Sequence, residues 1–144
     1  MALAEWAAVS ALVTLALLAA APAAAPPTPV EVTAPGPEGA LAGTMLDPDP
    51  KAPLVLIIPG SGPTDRDGNN PMGVAGGPYR QLAEALAADG VASVRVDKRG
   101  MFGSKAALAD VNSSTTASYA DDVHAWVAAI RQRTGRHCVW VLGH

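Results

Sequence analysis

The sequence has little of three things that would point to common classes of site or partner. It contains a single cysteine, Cys138, which excludes an internal disulfide and any multi-cysteine metal site. Its lysines and arginines are scattered and its formal net charge is −3, so it lacks the basic block that binds a nucleic-acid backbone. It also lacks the run of about 20 strongly apolar residues that a membrane-spanning helix needs. Nucleic acid, a metal ion and a stable membrane anchor are therefore not expected.

The chain does have enough apolar sequence for one folded domain. Its 144 residues are 49% hydrophobic, which is sufficient to bury a core. Cys138 is expected to contribute to this core as a small apolar residue at the start of a buried strand, rather than to act as a nucleophile.

The N-terminus has the layout of an export signal. An apolar centre at residues 12–18 is followed by an A-x-A cleavage site that ends at Ala23 and by a proline-rich segment. We expect a signal peptide over residues 1–23, a linker over 24–29 and a mature protein outside the cytoplasm, either periplasmic or secreted. The first residues carry Glu5 and no lysine or arginine, which departs from the usual pattern. An uncleaved membrane anchor and a disordered arm are the alternatives.

The rest of the chain alternates predicted strands and helices. Strands are predicted at residues 30–33, 41–46, 54–58, 91–96 and 138–142, and helices at 79–88 and 118–134. The first two strands suit a hairpin, whereas the continuous apolar run LVLII is typical of a strand covered on both faces. Asp121 and Asp122 are expected in the first turn of the second helix, where they would match its dipole. This order predicts a mainly parallel sheet with helices on its faces, after an N-terminal antiparallel hairpin.

A glycine-rich or polar segment follows each of the last three predicted strands. They read PGSGPTDRDGNN, DKRGMFGS and GH. Ligands of such sheets bind at the carboxyl ends of the strands, so these three segments are the candidate site.

Taken together, the three segments resemble the α/β-hydrolase superfamily, in particular the bacterial serine hydrolases with a PGSGPTDRDG-type loop. The resemblance covers residues 30–144 and implies the N-terminal part of a three-layer α/β-hydrolase fold, without its C-terminal part. It also implies that Gly143 and His144 begin the nucleophile elbow G-x-S-x-G, so that a serine should come next. His144 is then not the catalytic base. The nucleophile, acid and base are all expected after His144, and none of the catalytic triad within the chain.

The same resemblance assigns an oxyanion hole to the first loop. Gly60 matches the glycine of the family's HG-x motif, with Pro59 where many members have histidine, and the Ser61 N–H becomes an oxyanion donor. Gly62 completes this loop. The alternative is that Gly60 and Gly62 only form a tight turn.

The charged residues of the loops are expected to support them rather than to do chemistry. Asp65, Arg66 and Asp67 of the first loop, and Asp97 and Arg99 of the second, suit charge-assisted hydrogen bonds. DRDGNN has the carboxylate density of a calcium loop, but lacks its spacing and terminal glutamate.

The second loop departs from the family's D-x-R-G-x-G-x-S pattern at one position. Phe102 occupies the place of the second glycine, and Gly103 follows one residue late. This difference is expected to reshape the wall of the pocket.

The expected activity is cleavage of carboxylic esters through an acyl-enzyme, with a small-molecule substrate and no cofactor. Cleavage of amides or peptides is an alternative within the same fold. A second alternative is that the chain is an inactive truncated product, and the 144-residue chain by itself is expected to be inactive. A third is a nucleotide-dependent oxidoreductase, because Gly60-x-Gly62 could begin a dinucleotide fingerprint. That motif lacks its third glycine, and the candidate acid Asp97 lies about 35 rather than about 20 residues on.

Overall fold

The computed structural model describes residues 25–144, which form a five-stranded mixed sheet and two main helices. The elements in chain order are β1 (Val30–Pro35), β2 (Ala40–Leu46), β3 (Leu54–Ile58), α1 (Pro78–Ala88), β4 (Ala92–Val96), α2 (Thr116–Thr134) and β5 (Trp140–Gly143). Two short 3₁₀ helices, Phe102–Ala107 and Val111–Ser113, lie between β4 and α2. The predicted signal peptide lies outside the described residues. Over residues 25–144, no helix combines the length and apolar character needed to cross a membrane.

The strand order in the sheet is β1-β2-β4-β3-β5. β2 is antiparallel to both of its neighbours, whereas β4, β3 and β5 are mutually parallel. This confirms the predicted mainly parallel sheet with an N-terminal antiparallel hairpin. The connection from β3 to β4 and the connection from β4 to β5 run in opposite directions along the sheet. Because such crossovers are right-handed, α1 and α2 lie on opposite faces.

The alternation of side chains along β4 divides the interior between the two faces. Val94 and Val96 belong to one apolar cluster with Trp126 and Ile130 of α2. Trp126 is 2% exposed, so its burial contributes more than about 2 kcal/mol to folding. Arg95 points to the other face, where α1 packs against β4.

The start of α2 differs from the sequence prediction. Thr115 and Ser118 form a capping box, in which the Thr115 hydroxyl accepts a hydrogen bond from the Ser118 N–H at 3.1 Å. The helix therefore begins at Thr116, and the prediction that Asp121 and Asp122 lie in its first turn is wrong. A polar pair upstream satisfies the free N–H groups, and Asp122 is buried one turn further on.

The last strand also differs from the prediction. β5 begins at Trp140, and Cys138 is exposed ahead of it, so the predicted place of Cys138 in a buried strand is wrong. Within residues 25–144, β5 pairs with β3 alone. Trp140 is consequently 70% exposed and Val141 51% exposed, because one edge and much of both faces of this strand have no neighbour among the described residues.

Candidate active site

The ends of β3 and β5 meet at the carboxyl edge of the sheet. Their parallel register pairs Ile58 with Gly143, and the His144 N–H continues the ladder by donating to the Ile58 carbonyl oxygen at 3.2 Å. The loop that begins at Pro59 and the Gly143-His144 pair therefore lie side by side. Two segments far apart in sequence are brought together by strand pairing alone.

Gly60 and His144 are in direct contact at this edge. A Cβ atom on residue 60 would lie 2.7 Å from the His144 Nδ1, which is closer than side-chain atoms approach, so this contact requires glycine. The Tyr79 Oη lies 2.8 Å from the same nitrogen. It also accepts a long hydrogen bond of 3.5 Å from the Gly60 N–H. Tyr79, at the start of α1, thus bridges the two segments.

Ser61 follows Gly60 and is exposed. Its N–H has no hydrogen-bond acceptor among residues 25–144. The next residue, Gly62, has a φ of 80°, which turns the chain back so that the Gly62 carbonyl accepts from the Thr64 N–H at 2.9 Å. A free donor at the rim of a cleft is available to a ligand. The cleft has a volume of about 440 Å³ and is lined by Gly60, Ser61, Thr64, Gly68, Asn70, Val74, Pro78, Tyr79 and His144.

Lys98 lies beneath this loop. The side chain leaves the end of β4 and is 8% exposed. Its Nζ donates to the carbonyl oxygens of Gly60 and Gly62, the latter at 2.6 Å. Burial lowers the pKa of Lys98 below its usual value. The residue holds the loop from the side of the sheet.

The remainder of the loop is held by carboxylates. The Asp65 Oδ1 accepts hydrogen bonds from the backbone N–H groups of Asp67 and Asn69 at 2.9 and 2.8 Å. Asp67 forms an ion pair with Arg95 of β4. Burial lowers the pKa of Arg95, and the charge of Asp67 opposes that shift. These carboxylates therefore have protein partners, which favours the supporting role over the calcium-loop interpretation.

Asp97 joins the first loop to the second. Its carboxylate is 2% exposed and accepts from the Arg66 N–H at 2.8 Å, from the Arg66 Nε at 2.9 Å and from the Gly103 N–H at 3.1 Å. Arg66 also pairs with Glu31 of β1 at 2.6 Å. Burial lowers the pKa of Arg66, but the Glu31 hydrogen bond and the charge of Asp97 outweigh burial and raise it overall. A side chain at residue 103 would overlap this pair, since a Cβ there lies 2.5 Å from an Arg66 nitrogen.

Arg99 has a different partner. Its Nε and Nη2 each donate to the Asp122 carboxylate at 2.7 Å, and Nη2 also donates to the Ser118 carbonyl oxygen at 2.5 Å. The hydrogen bonds to Asp122 raise the pKa of Arg99 above its usual value. This bidentate pair attaches the start of α2 to the loop after β4.

Phe102 occupies the position where the family pattern has glycine, and its backbone keeps the conformation that favours glycine. Its φ is 44°, the one positive value at a non-glycine residue among residues 25–144. The side chain is 45% exposed, beside Arg66 and Asp97 at the surface. The exposed ring does not line the cleft at Gly60 and His144, so the expected change to the wall of that pocket is not seen there.

The structure places all of the sequence-predicted site residues at the carboxyl edge of the sheet. Gly60 meets His144 there, whereas Asp97 with Arg66 and Arg99 with Asp122 form separate pairs. Sequence reasoning missed Lys98 and Tyr79. Lys98 stands in the DKRG segment directly after a buried strand, and this position was the one signal for it. Tyr79 carried no signal, because its partners are far away in the sequence.

The geometry also bears on the dinucleotide alternative. In that fingerprint, the glycines open the helix that receives the pyrophosphate. Here Gly60 and Gly62 are separated from the start of α1 at Pro78 by the long loop that holds Asp65. The glycines do not stand at a helix N-terminus, which removes the structural basis of a nucleotide site at this position.

Comparison with known proteins identifies the fold. No protein-family model matches the chain, and no similar sequence is found among curated proteins. An α/β serine hydrolase without a lid from Xanthomonas campestris is similar in structure, with a TM-score of 0.56 and 20% identity over 80% of this chain. The acylaminoacyl peptidase of Pyrococcus horikoshii is also similar, with a TM-score of 0.54 and 19% identity over 83% of this chain.

This chain spans 50% of the length of the Xanthomonas protein and 19% of that of the Pyrococcus protein. At these identities the likeness is one of fold. Residues 25–144 form part of an α/β-hydrolase fold, as the sequence predicted.

Proposed function

We propose that this chain is part of a serine hydrolase that cleaves carboxylic esters through an acyl-enzyme. The observation that carries the proposal is the contact between Gly60 and His144, which sets a free backbone donor at Ser61 beside the end of β5. A nucleophile that follows His144 would then lie within reach of the Ser61 N–H. The α/β-hydrolase fold supports this arrangement, since its nucleophile elbow follows the fifth strand.

In the proposed reaction, the hydroxyl of a serine after His144 attacks the ester carbonyl carbon and passes its proton to a histidine base further along the chain. The carbonyl oxygen becomes an oxyanion, and the N–H groups of Ser61 and of the residue after the nucleophile stabilise it. The alcohol leaves with the proton, and water then releases the acid from the acyl-enzyme. His144 is not assigned a part in proton transfer, because the histidine base of this fold follows the nucleophile in the chain.

The first test is the identity of the residues that follow His144 in the gene. A serine followed by x-Gly supports the proposal, and a stop codon supports the inactive truncated product. The second test is labelling of the full-length protein with a fluorophosphonate probe. Labelling that disappears when that serine is replaced by alanine identifies the nucleophile, and a folded protein that is not labelled contradicts the proposal.

The role of Ser61 has its own matched pair of variants. Ser61→Ala keeps the backbone N–H and should retain most of the activity. Ser61→Pro removes the N–H and should lower kcat about 10²- to 10³-fold, the usual loss for one oxyanion donor. Equal losses in two folded variants contradict a backbone donor at this position.

The substrate class is settled by comparing kcat/KM for p-nitrophenyl esters and for the matching p-nitroanilides. We expect the esters to be preferred. A preference for the anilides favours the alternative of amide or peptide cleavage, which is the activity named for the Pyrococcus relative.

We also propose that the protein is exported and processed after Ala23. The apolar centre and the A-x-A site support this proposal. Mass spectrometry of the mature protein should find an N-terminus at Ala24 in the extracytoplasmic fraction. A chain that retains Met1 in the cytoplasm contradicts export, and one that retains Met1 in the membrane favours the uncleaved anchor.

A further inference from the structure

Lys98 is a buried cation whose hydrogen-bond partners are backbone carbonyls. It is 8% exposed, and among residues 25–144 no carboxylate lies within ion-pair distance of its Nζ. Its acceptors are the carbonyl oxygens of Gly60 and Gly62. Removing an ammonium group from water costs several kcal/mol, and two neutral acceptors repay less of that than a carboxylate would. The contact is therefore a poor source of stability, and its main effect is on the conformation of the loop.

The Gly60 carbonyl and the Ser61 N–H belong to the same peptide unit. No peptide bond among residues 25–144 is cis, so in this unit the C=O and the N–H point in opposite directions. An ammonium group that holds the oxygen on the side of the sheet fixes the N–H on the opposite side. The Lys98 contact therefore sets the direction of the Ser61 donor, although Lys98 makes no hydrogen bond to Ser61 among the described residues.

The second contact holds the loop one peptide further on, at the Gly62 carbonyl oxygen. The Gly62 carbonyl accepts from Lys98 as well as from the Thr64 N–H, and Gly62 has the left-handed φ of 80° that the turn requires. The Gly60–Ser61 peptide, which carries the Ser61 N–H, and the Gly62–Pro63 peptide cannot flip without breaking a bond to the ammonium group. Peptide flips at glycine otherwise meet little steric resistance.

We propose that Lys98 is the positioning residue of the oxyanion loop and acts on catalysis by orienting the Ser61 N–H. This inference rests on the proposed function for what the donor serves, whereas the ordering of the loop by Lys98 does not depend on it. In this arrangement Lys98 acts through its N–H groups, which donate to both carbonyl oxygens. Its effect should therefore fall on the stabilisation of the transition state and not on the binding of the substrate.

The test uses the full-length protein and three variants. Lys98→Met keeps the length of the side chain and removes its donors, Lys98→Arg restores donors, and Lys105→Met removes an exposed lysine nearby as a control. We expect Lys98→Met to lower kcat on an aryl ester about 10- to 100-fold with little change in KM, because misplacement of a catalytic donor by about 1 Å has an effect of that size. Lys98→Arg should recover part of this loss, and Lys105→Met should behave like the wild type.

A second readout is independent of activity. Backbone ¹⁵N relaxation reports the order parameters of the N–H groups of Gly60, Ser61 and Gly62. We expect values near 0.85 in the wild type and a fall towards 0.6 in Lys98→Met, with no change in Lys105→Met. If Lys98→Met does not fold, as judged by thermal unfolding, Lys98→Gln takes its place and should give an intermediate loss of order.

The outcomes separate this inference from the proposed function. A wild type without hydrolase activity overturns the proposed function, but a loop that loses order in Lys98→Met still supports the ordering role of Lys98. An active wild type whose Lys98→Met variant keeps both its kcat and its loop order overturns the inference alone. A rise in KM at constant kcat also overturns it, since that result would place Lys98 in substrate binding.

Discussion

Arg66 binds two carboxylates whose surroundings differ, so replacing each in turn separates the effect of burial from that of distance. Glu31 is the closer partner at 2.6 Å, but its side chain is 73% exposed. Asp97 lies at 2.9 Å and is 2% exposed. The substitutions Glu31→Gln and Asp97→Asn each remove one charge and keep the shape of the side chain. If the distance to Arg66 decided how much each ion pair stabilises the protein, Glu31→Gln would lower the free energy of unfolding more than Asp97→Asn.

Burial leads to the opposite expectation. An exposed ion pair contributes about 0–1 kcal/mol, because water screens the charges and two side chains must be ordered. Asp97 accepts three hydrogen bonds in a buried position, and removal of its charge leaves the Arg66 guanidinium without its buried counter-ion. Breaking a buried pair costs about 3–5 kcal/mol, and the amide oxygen of asparagine can keep part of the hydrogen bonding. We expect Asp97→Asn to lower the free energy of unfolding by about 3 kcal/mol, and Glu31→Gln to lower it by less than about 1 kcal/mol.

The measurement is urea unfolding of the full-length protein, followed by tryptophan fluorescence, to which the buried Trp126 contributes. The free energies of unfolding should fall in the order wild type, Glu31→Gln, Asp97→Asn, with similar m-values. A double-mutant cycle between Arg66→Met and Asp97→Asn should give a coupling energy of about 1.5–3 kcal/mol. The reasoning is refuted if Glu31→Gln costs as much as Asp97→Asn, or if that coupling is close to zero.

Three further predictions concern pH, the second ion pair and the strained turn. Burial raises the pKa of Glu31, but hydrogen bonds from Thr44 and Arg66 outweigh burial and lower the pKa below 4.5. The stability that this shift adds is present above pH 4.5 and is lost as the pH falls through the lowered value. In Glu31→Gln, the fall in the free energy of unfolding at acid pH, measured by chemical unfolding, should therefore be less steep. Arg99→Met should lower the free energy of unfolding by about 3–5 kcal/mol, because it leaves Asp122 buried without its partner, whereas the exposed Arg131→Met should change it by less than about 0.5. Phe102→Gly should raise the melting temperature slightly. The left-handed conformation costs a non-glycine residue about 1–2 kcal/mol, and the greater freedom of glycine in the unfolded chain offsets about half of that. A lower melting temperature contradicts strain at this position.

The sequence predicted the fold well because the signals for it are local. The continuous apolar run of β3 and the helical spacing around Trp126 each depend on a few neighbouring residues, and alternation of strands and helices leaves few arrangements of the sheet. The errors lie where a local signal competed with another. Asp121 and Asp122 suggested a helix start, but Thr115 and Ser118 supplied a better one upstream. The apolar neighbours of Cys138 favour a place in β5, but the strand begins only at Trp140.

The candidate site could be predicted only in part, because its glycines belong to local sequence patterns whereas its charged side chains have partners that are distant in the sequence. Gly60 and Gly143 belong to short patterns whose spacing is fixed by a turn, so the sequence located them. The partners of a charged side chain depend on the whole fold. Asp97 was predicted to support a loop, but its bond to Arg66, 31 positions away, follows from the antiparallel and parallel pairing around β4. Lys98 was missed for the same reason, since its acceptors are backbone oxygens that no sequence pattern marks.

The ionisable groups at the end of β4 share one physical role. Arg95, Asp97, Lys98 and Arg99 are each 8% exposed or less, an uncommon density of buried charge for one segment. Each is directed to a different piece of chain: Arg95 to Asp67, Asp97 to Arg66 and Gly103, Lys98 to the carbonyls of Gly60 and Gly62, and Arg99 to Asp122 of α2. Burial makes each of these bonds costly to break, and the rigid strand fixes where each one starts. β4 therefore acts as a support that holds the loops after β3 and β4 and the start of α2 in one relative position, which is what the proposed backbone donor at Ser61 requires.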